Sequence, residues 1–140
     1  MSTTVLEFEI PGEPKGKARP VVTRSGHAFT PKGTVLFESL VASCFNAKYP
    51  QWVPASGEIN MIIAAYFPIP KTASIKKKTM MLSGAIHPTR KPDLDNIAKA
   101  VCDSLNNIMY TDDSHVTALT IWKSYSEKPH IYVRAEIKEE

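Results

Sequence analysis

Between Glu58 and Pro68 the chain reads Glu-Ile-Asn-Met-Ile-Ile-Ala-Ala-Tyr-Phe-Pro, and this run constrains the fold more than any other. Ile59, Met61, Ile63, Ala65 and Phe67 recur with the period of two expected of one face of a strand. Ile62 and Ala64 make the opposite side apolar as well, so the strand belongs in the middle of a sheet. Its longest apolar stretch, Met61 to Phe67, is far too short to cross a bilayer. Other segments can supply the neighbours. Leu6, Phe8 and Ile10 alternate with Glu7 and Glu9, the pattern of a half-buried strand, and Pro11-Gly12 ends it. Two further strands are expected over Val116–Tyr125 and His130–Ile137, separated by a turn at Glu127-Lys128-Pro129.

Helical spacing marks three other stretches. Phe37, Leu40, Val41, Cys44 and Phe45 predict a helix from Thr34 to about Ala47, with Thr34 as its N-cap. Ser74 to Leu82 reads as a short basic helix closed by Gly84. The strongest pattern predicts a helix from Asp95 to about Met109, with Ile97, Val101, Leu105 and Ile108 on one face. His87 to Pro92 must be extended or turning, because the residue before each proline avoids the helical region. Glu13 to Gly33, rich in Pro, Gly and basic residues, is expected as a long loop or an irregular hairpin around Ser25-Gly26.

Strands and helices alternate without the regularity of a doubly wound fold. The expectation is therefore one α+β domain over residues 1–140, a mixed sheet packed against helices. A chain of this length can bury roughly two-thirds of its unfolded surface, enough for a core without staples. Cys44 and Cys102 are too few for a disulfide framework and point to a reducing compartment. The N-terminus lacks the basic and apolar regions of a secretory signal, so a cytoplasmic protein is expected. Trp52 and Trp122 are expected to pack.

The net charge of +3 excludes little, but its distribution is uneven. Basic residues gather at Lys15, Lys17, Arg19 and Arg24, at Lys71 with Lys76, Lys77 and Lys78, and at Arg90-Lys91. Acidic residues gather between Asp93 and Asp113. Such a field can draw a polyanion towards a site that also holds cations. Each basic cluster alone also fits a solvated face, and lysine or arginine on phosphate positions a duplex without reading its sequence.

The chemistry-bearing stretch is Lys91-Pro-Asp-Leu-Asp-Asn-Ile-Ala-Lys-Ala-Val-Cys-Asp103. After Pro92 an extended backbone is expected, which would put Asp93 and Asp95 on one side and Leu94 towards the core. Asp95 would also open the helix, with Lys99 one turn on and Asp103 continuing the polar stripe. Asp112-Asp113 then arrive at a turn before a strand. Carboxylates converging on one spot repel unless a cation lies between them, and an all-oxygen donor set suits Mg²⁺ or Mn²⁺. Such a metal can activate water for phosphoryl chemistry, with a lysine offsetting charge on the phosphate oxygens. Plainer roles fit the same residues: Asp95 as an N-cap, Lys99 as a partner of Asp95 or Asp103, Asp112-Asp113 as turn residues, His87 and His115 as surface groups.

The run Lys91 to Leu105, followed by Tyr110-Thr-Asp-Asp-Ser-His-Val116, resembles the signature of the RusA family of Holliday-junction resolvases. Pro14-Lys-Gly-Lys-Ala-Arg-Pro20 with Thr30-Pro31, Pro68-Ile-Pro-Lys71 and His87-Pro88 are similar to prophage-type members. The resemblance implies a RusA-like fold and a small Mg²⁺-dependent endonuclease acting as a homodimer. Its partner would be branched DNA, nicked symmetrically across a four-way junction to leave a 5′-phosphate and a 3′-hydroxyl. It implies Asp93, Asp95 and Asp113 as metal-binding carboxylates and Lys99 as the essential lysine, with Asp103 and Asp112 in supporting roles. Some members carry adjacent arginines just before the first Asp, whereas here Pro92 separates Arg90-Lys91 from Asp93. Two other readings stay open: a non-catalytic branched-DNA-binding module, and a nucleotide-sugar transferase using Asp-X-Asp, which the missing Gly-rich loop disfavours.

Overall fold

Flanked on both sides, the Glu58–Pro68 strand lies where its two apolar faces require. The computed structural model describes residues 2–17, 21–29 and 32–139. It opens with β1 (Ser2–Pro11), then a small hairpin of β2 (Val21–Val22) and β3 (Ala28–Phe29), followed by α1 (Lys32–Lys48) and β4 (Glu58–Pro68). Next come α2 (Ile75–Leu82), α3 (Leu94–Ser104), a 3₁₀ turn at Asp113–His115, β5 (Val116–Ser126) and β6 (His130–Glu139). The main sheet runs β1-β6-β4-β5, so β4 separates two strands that are neighbours in sequence. It pairs antiparallel with β6 and parallel with β5. A parallel pair cannot be closed by a tight turn and needs a long crossover. Here that crossover carries α2, α3 and the acidic run, so the topology itself sets where the candidate site lies.

One face of the sheet, with Leu6, Phe8, Ile10, Ile59, Met61, Ile63, Phe67, Ile131, Val133 and Ile137, joins Phe37, Val41 and Phe45 of α1 and Ile97 and Val101 of α3 in a single core. Phe8 meets Phe45 edge to face, with centroids 5.5 Å apart. On the other face Ala64 is buried, but Trp122, its register partner on β5, is 39% exposed. Trp122 is therefore not the packing residue expected, because neither α1 nor α3 covers that face. Trp52 does pack, donating its indole N–H to the Met109 carbonyl at 2.9 Å. No helix among the described residues is long and apolar enough to cross a membrane.

Three helix boundaries differ from the periodicity. Beginning at Lys32, α1 leaves Thr34 buried within its first turn rather than outside as a cap. Beginning at Leu94, α3 has Asp93, not Asp95, at the N-cap. It also ends at Ser104 instead of near Met109. Asn107 takes a left-handed backbone with φ 63°, a conformation Asn tolerates better than other non-glycine residues. Ile108 thus belongs to the following turn rather than to the helix face. By contrast, α2 starts as expected, with Ser74 accepting the Lys77 backbone N–H at 3.2 Å.

Candidate active site

Two ends of the crossover meet at α3. At its start Asp93 has an extended backbone (φ −71°, ψ 155°), and its carbonyl accepts the Ile97 N–H at 3.0 Å, the first turn of the helix. An Asp here ordinarily caps with its side chain, yet Asp93 makes no such hydrogen bond. Asp95 lies in the first turn, where its charge favours the positive end of the helix. The expected extended Asp93-Leu94-Asp95 geometry does not form. The helix takes over at Leu94, so successive side chains step around an axis by about 100° instead of alternating. Leu94 is accordingly 38% exposed rather than turned to the core.

At the far end the chain leaves α3 through a turn held on several sides. The Asn107 N–H donates to the Tyr110 carbonyl at 2.7 Å, and Ala55 exchanges backbone hydrogen bonds with Met109 and Thr111 at 2.9 and 3.0 Å. Tyr110 is fully buried, and its hydroxyl donates to the Cys102 carbonyl at 2.6 Å. Burial raises the Tyr110 phenol far above its ordinary value and pushes the Cys102 thiol up to about 11. Both are therefore neutral anchors at physiological pH. This turn sets down Asp112 and Asp113 with different roles. The Asp112 carboxylate caps the 3₁₀ turn, accepting the Ser114 N–H at 3.0 Å, and hydrogen bonds from Ser114 hold it below the ordinary carboxylate range.

Asp113 lies beside Asp103 of α3, close enough for the two carboxyls to perturb each other. Burial, the neighbouring Asp103 carboxyl and the charge of Asp112 raise Asp113, against the pull of Lys99. For Asp103, burial raises the carboxyl, but the hydrogen bond from Lys17, the neighbouring Asp113 carboxyl and the charges of Lys17 and Lys99 outweigh it, leaving the group below its usual value. Lys17 Nζ and Lys99 Nζ both reach Asp103 Oδ2, at 3.1 and 3.4 Å. Lys99 thus pairs with Asp103 and not with Asp95.

The structure gathers Lys17, Lys99, Asp103 and Asp113 around the C-terminal half of α3. Asp93 and Asp95 stand at its start, and the rise from residue 95 to 103 is about 12 Å. Among the described residues no three Asp, Glu, His or Cys side chains are grouped closely enough to hold an ion as they stand. Like charges repel, so Asp93, Asp95 and Asp113 would come together only around a cation. The donor chemistry suits such an ion. These are carboxylate oxygens, and those of Asp93 serve no cap.

Of the basic residues expected to hold DNA, Lys15, Arg24, Lys76, Lys77, Arg90 and Lys91 are exposed, while Arg19 and the Thr30-Pro31 pair lie outside the described residues. Lys78 pairs with Glu127 at 3.6 Å. Lys17 is not a loose backbone tracker. Its N–H donates to the Asn96 carbonyl at 3.2 Å, and Gly16 before it lies flat against α3. A methyl group at Gly16 would stand 3.0 Å from Pro92 Cβ and 3.2 Å from Asn96 Cβ. Gly16→Val should cost about 1–3 kcal/mol of stability, read as a lowered denaturant midpoint. It should also displace Lys17 from Asp103. Lys123, which sequence reasoning missed, lies over the Phe67 ring (5.2 Å to the centroid) and donates to the Arg90 carbonyl at 2.7 Å. Arg90 stacks on the same ring at 5.1 Å, so the segment leading to Asp93 is clamped from below. A lysine inside an otherwise apolar strand face was the available signal.

Residues 11–136 match the sequence profile of the family Endodeoxyribonuclease RusA. The chain is also similar to the Uncharacterized protein YqaN of Bacillus subtilis (strain 168), at 37% identity over 133 residues that cover 91% of this chain and 93% of that protein. A profile spanning nearly the whole chain, on a four-stranded mixed sheet whose crossover holds the acidic run, leaves one assignment: this protein belongs to the RusA endodeoxyribonuclease family.

Proposed function

We propose that this nuclease resolves Holliday junctions or other branched DNA, as a homodimer making paired symmetric nicks in a metal-dependent reaction. The observation that carries the reading is the division of labour among the aspartates. Asp112 uses its carboxylate as a cap, whereas Asp93, at an N-cap, does not. Asp93, Asp95 and Asp113 are the residues that would hold the ion. Mg²⁺, or Mn²⁺ in its place, would supply Lewis acidity for water and charge neutralisation at the scissile phosphate.

The remaining roles fall to the chain's own side chains. Lys99 would place an ammonium where the phosphate oxygens gain negative charge; as water adds to phosphorus the P–O3′ bond breaks and O3′ takes up a proton, leaving a 5′-phosphate and a 3′-hydroxyl. Lys15, Arg24, Lys76, Lys77, Arg90 and Lys91 contact backbone phosphates and fix the orientation of the duplex arms. Two subunits place two such sites on one junction. DNA as substrate puts the working protein in the cytoplasm.

The test is a labelled synthetic four-way junction incubated with protein in Mg²⁺ and in chelator. Symmetric nicks bearing 5′-phosphates, seen only with metal, are expected. Junction binding without cleavage in either arm would leave only a DNA-binding module and overturn the proposal.

A further inference from the structure

We propose that Lys17 is a positioning residue, which by neutralising Asp103 lets Lys99 leave that carboxylate for the scissile phosphate. The inference rests on the role of Lys99 given above. Asp103 Oδ2 takes both ammonium groups, Lys17 at 3.1 Å and Lys99 at 3.4 Å. The two lysines are held very differently. The Lys99 side chain is 62% exposed and anchored only through its own helix, so its pairing is weak and screened by salt. The Lys17 side chain is 22% exposed, and its backbone is fixed by the hydrogen bond to Asn96 and by the close approach of Gly16 to Pro92 and Asn96.

Asp103 is itself 17% exposed, and a carboxylate so placed needs a counter-charge. With Lys17 present, Lys99 is a second cation on an oxygen already served, and the two ammonium groups repel. Lys99 is then free to swing towards a phosphate. Without Lys17, Asp103 keeps Lys99 for itself. The same ion pair that looks structural is thus the condition for a mobile functional lysine.

Lys17→Met should lower kcat on a four-way junction about tenfold to a hundredfold. KM should stay within about twofold, because no phosphate contact is lost. Lys17→Arg should restore most of the rate. Adding Asp103→Asn to Lys17→Met should also recover it, since the charge that traps Lys99 is then gone. A readout independent of cleavage is ¹⁵N relaxation of the lysine ammonium groups. Lys99 Nζ should be mobile in the wild type and restrained in Lys17→Met. Unchanged Lys99 mobility, or a raised KM with intact kcat, would overturn the inference. Cleavage by wild type that Lys99→Met leaves intact would instead sink the role given to Lys99, and the relaxation data would still decide whether Lys17 controls its mobility.

Discussion

Asp95→Asn should lower Mg²⁺-dependent junction cleavage by about a thousandfold, equivalent to roughly 4 kcal/mol of transition-state stabilisation. The substitution keeps shape and removes one negative charge from the proposed metal set. Because Asp95 is exposed in the first turn of α3, its loss costs the fold only the helix-end charge effect, about 0.3–1 kcal/mol. Unfolding midpoint and junction affinity in chelator should therefore stay near wild type while the rate collapses. Asp112→Asn is the matched control, because an amide oxygen can still accept the Ser114 N–H. Its cleavage rate should remain within about threefold of wild type. An inert Asp112→Asn beside an active Asp95→Asn would reverse the assignment.

Tyr110→Ala is expected to show the largest loss of stability, about 3–5 kcal/mol, as a fully buried aromatic is removed. In a chain of this size that is a fall in Tm of about 10–20 °C. Tyr110→Phe keeps the ring and loses only the hydrogen bond to the Cys102 carbonyl, costing about 1–2 kcal/mol. The pair separates packing from tethering. If the turn after α3 sets Asp113 against Asp103, cleavage by Tyr110→Phe at a temperature where it is fully folded should still fall below wild type. Equal rates would show that the backbone bonds to Ala55 hold the turn without the hydroxyl.

Patterns with a strict period were legible in the sequence. Alternation in β1, the doubly apolar β4 and the shared face of β6 follow from burial alone, and the sheet uses them as written. Register and neighbour order were not legible, because nothing local tells β5 to lie parallel to β4 rather than against β6. Helix ends failed for a related reason. The apolar spacing of Ile97, Val101 and Leu105 continues to Ile108, but Asn107 and the bonds from Ala55 end α3 earlier. At the candidate site the residue types were readable and their pairing was not. Lys17, some 86 positions before Asp103, reaches it only because a loop containing Gly16 lies flat on α3. Lys123 likewise reads as a polar strand residue until Phe67 and Arg90 are seen beside it.

The sheet order also governs how the molecule is made. Among the described residues β6 alone joins β1 to the rest of the main sheet, and of that sheet's four strands it comes latest in sequence. In the main sheet β4 meets β5 only across a long crossover and the hairpin neighbours β5 and β6 do not pair, so every ladder must close a long loop, which slows folding. A nascent chain lacking β6 therefore leaves β1 unpaired and one side of β4 open, so the core shared by the sheet, α1 and α3 closes only as this strand docks.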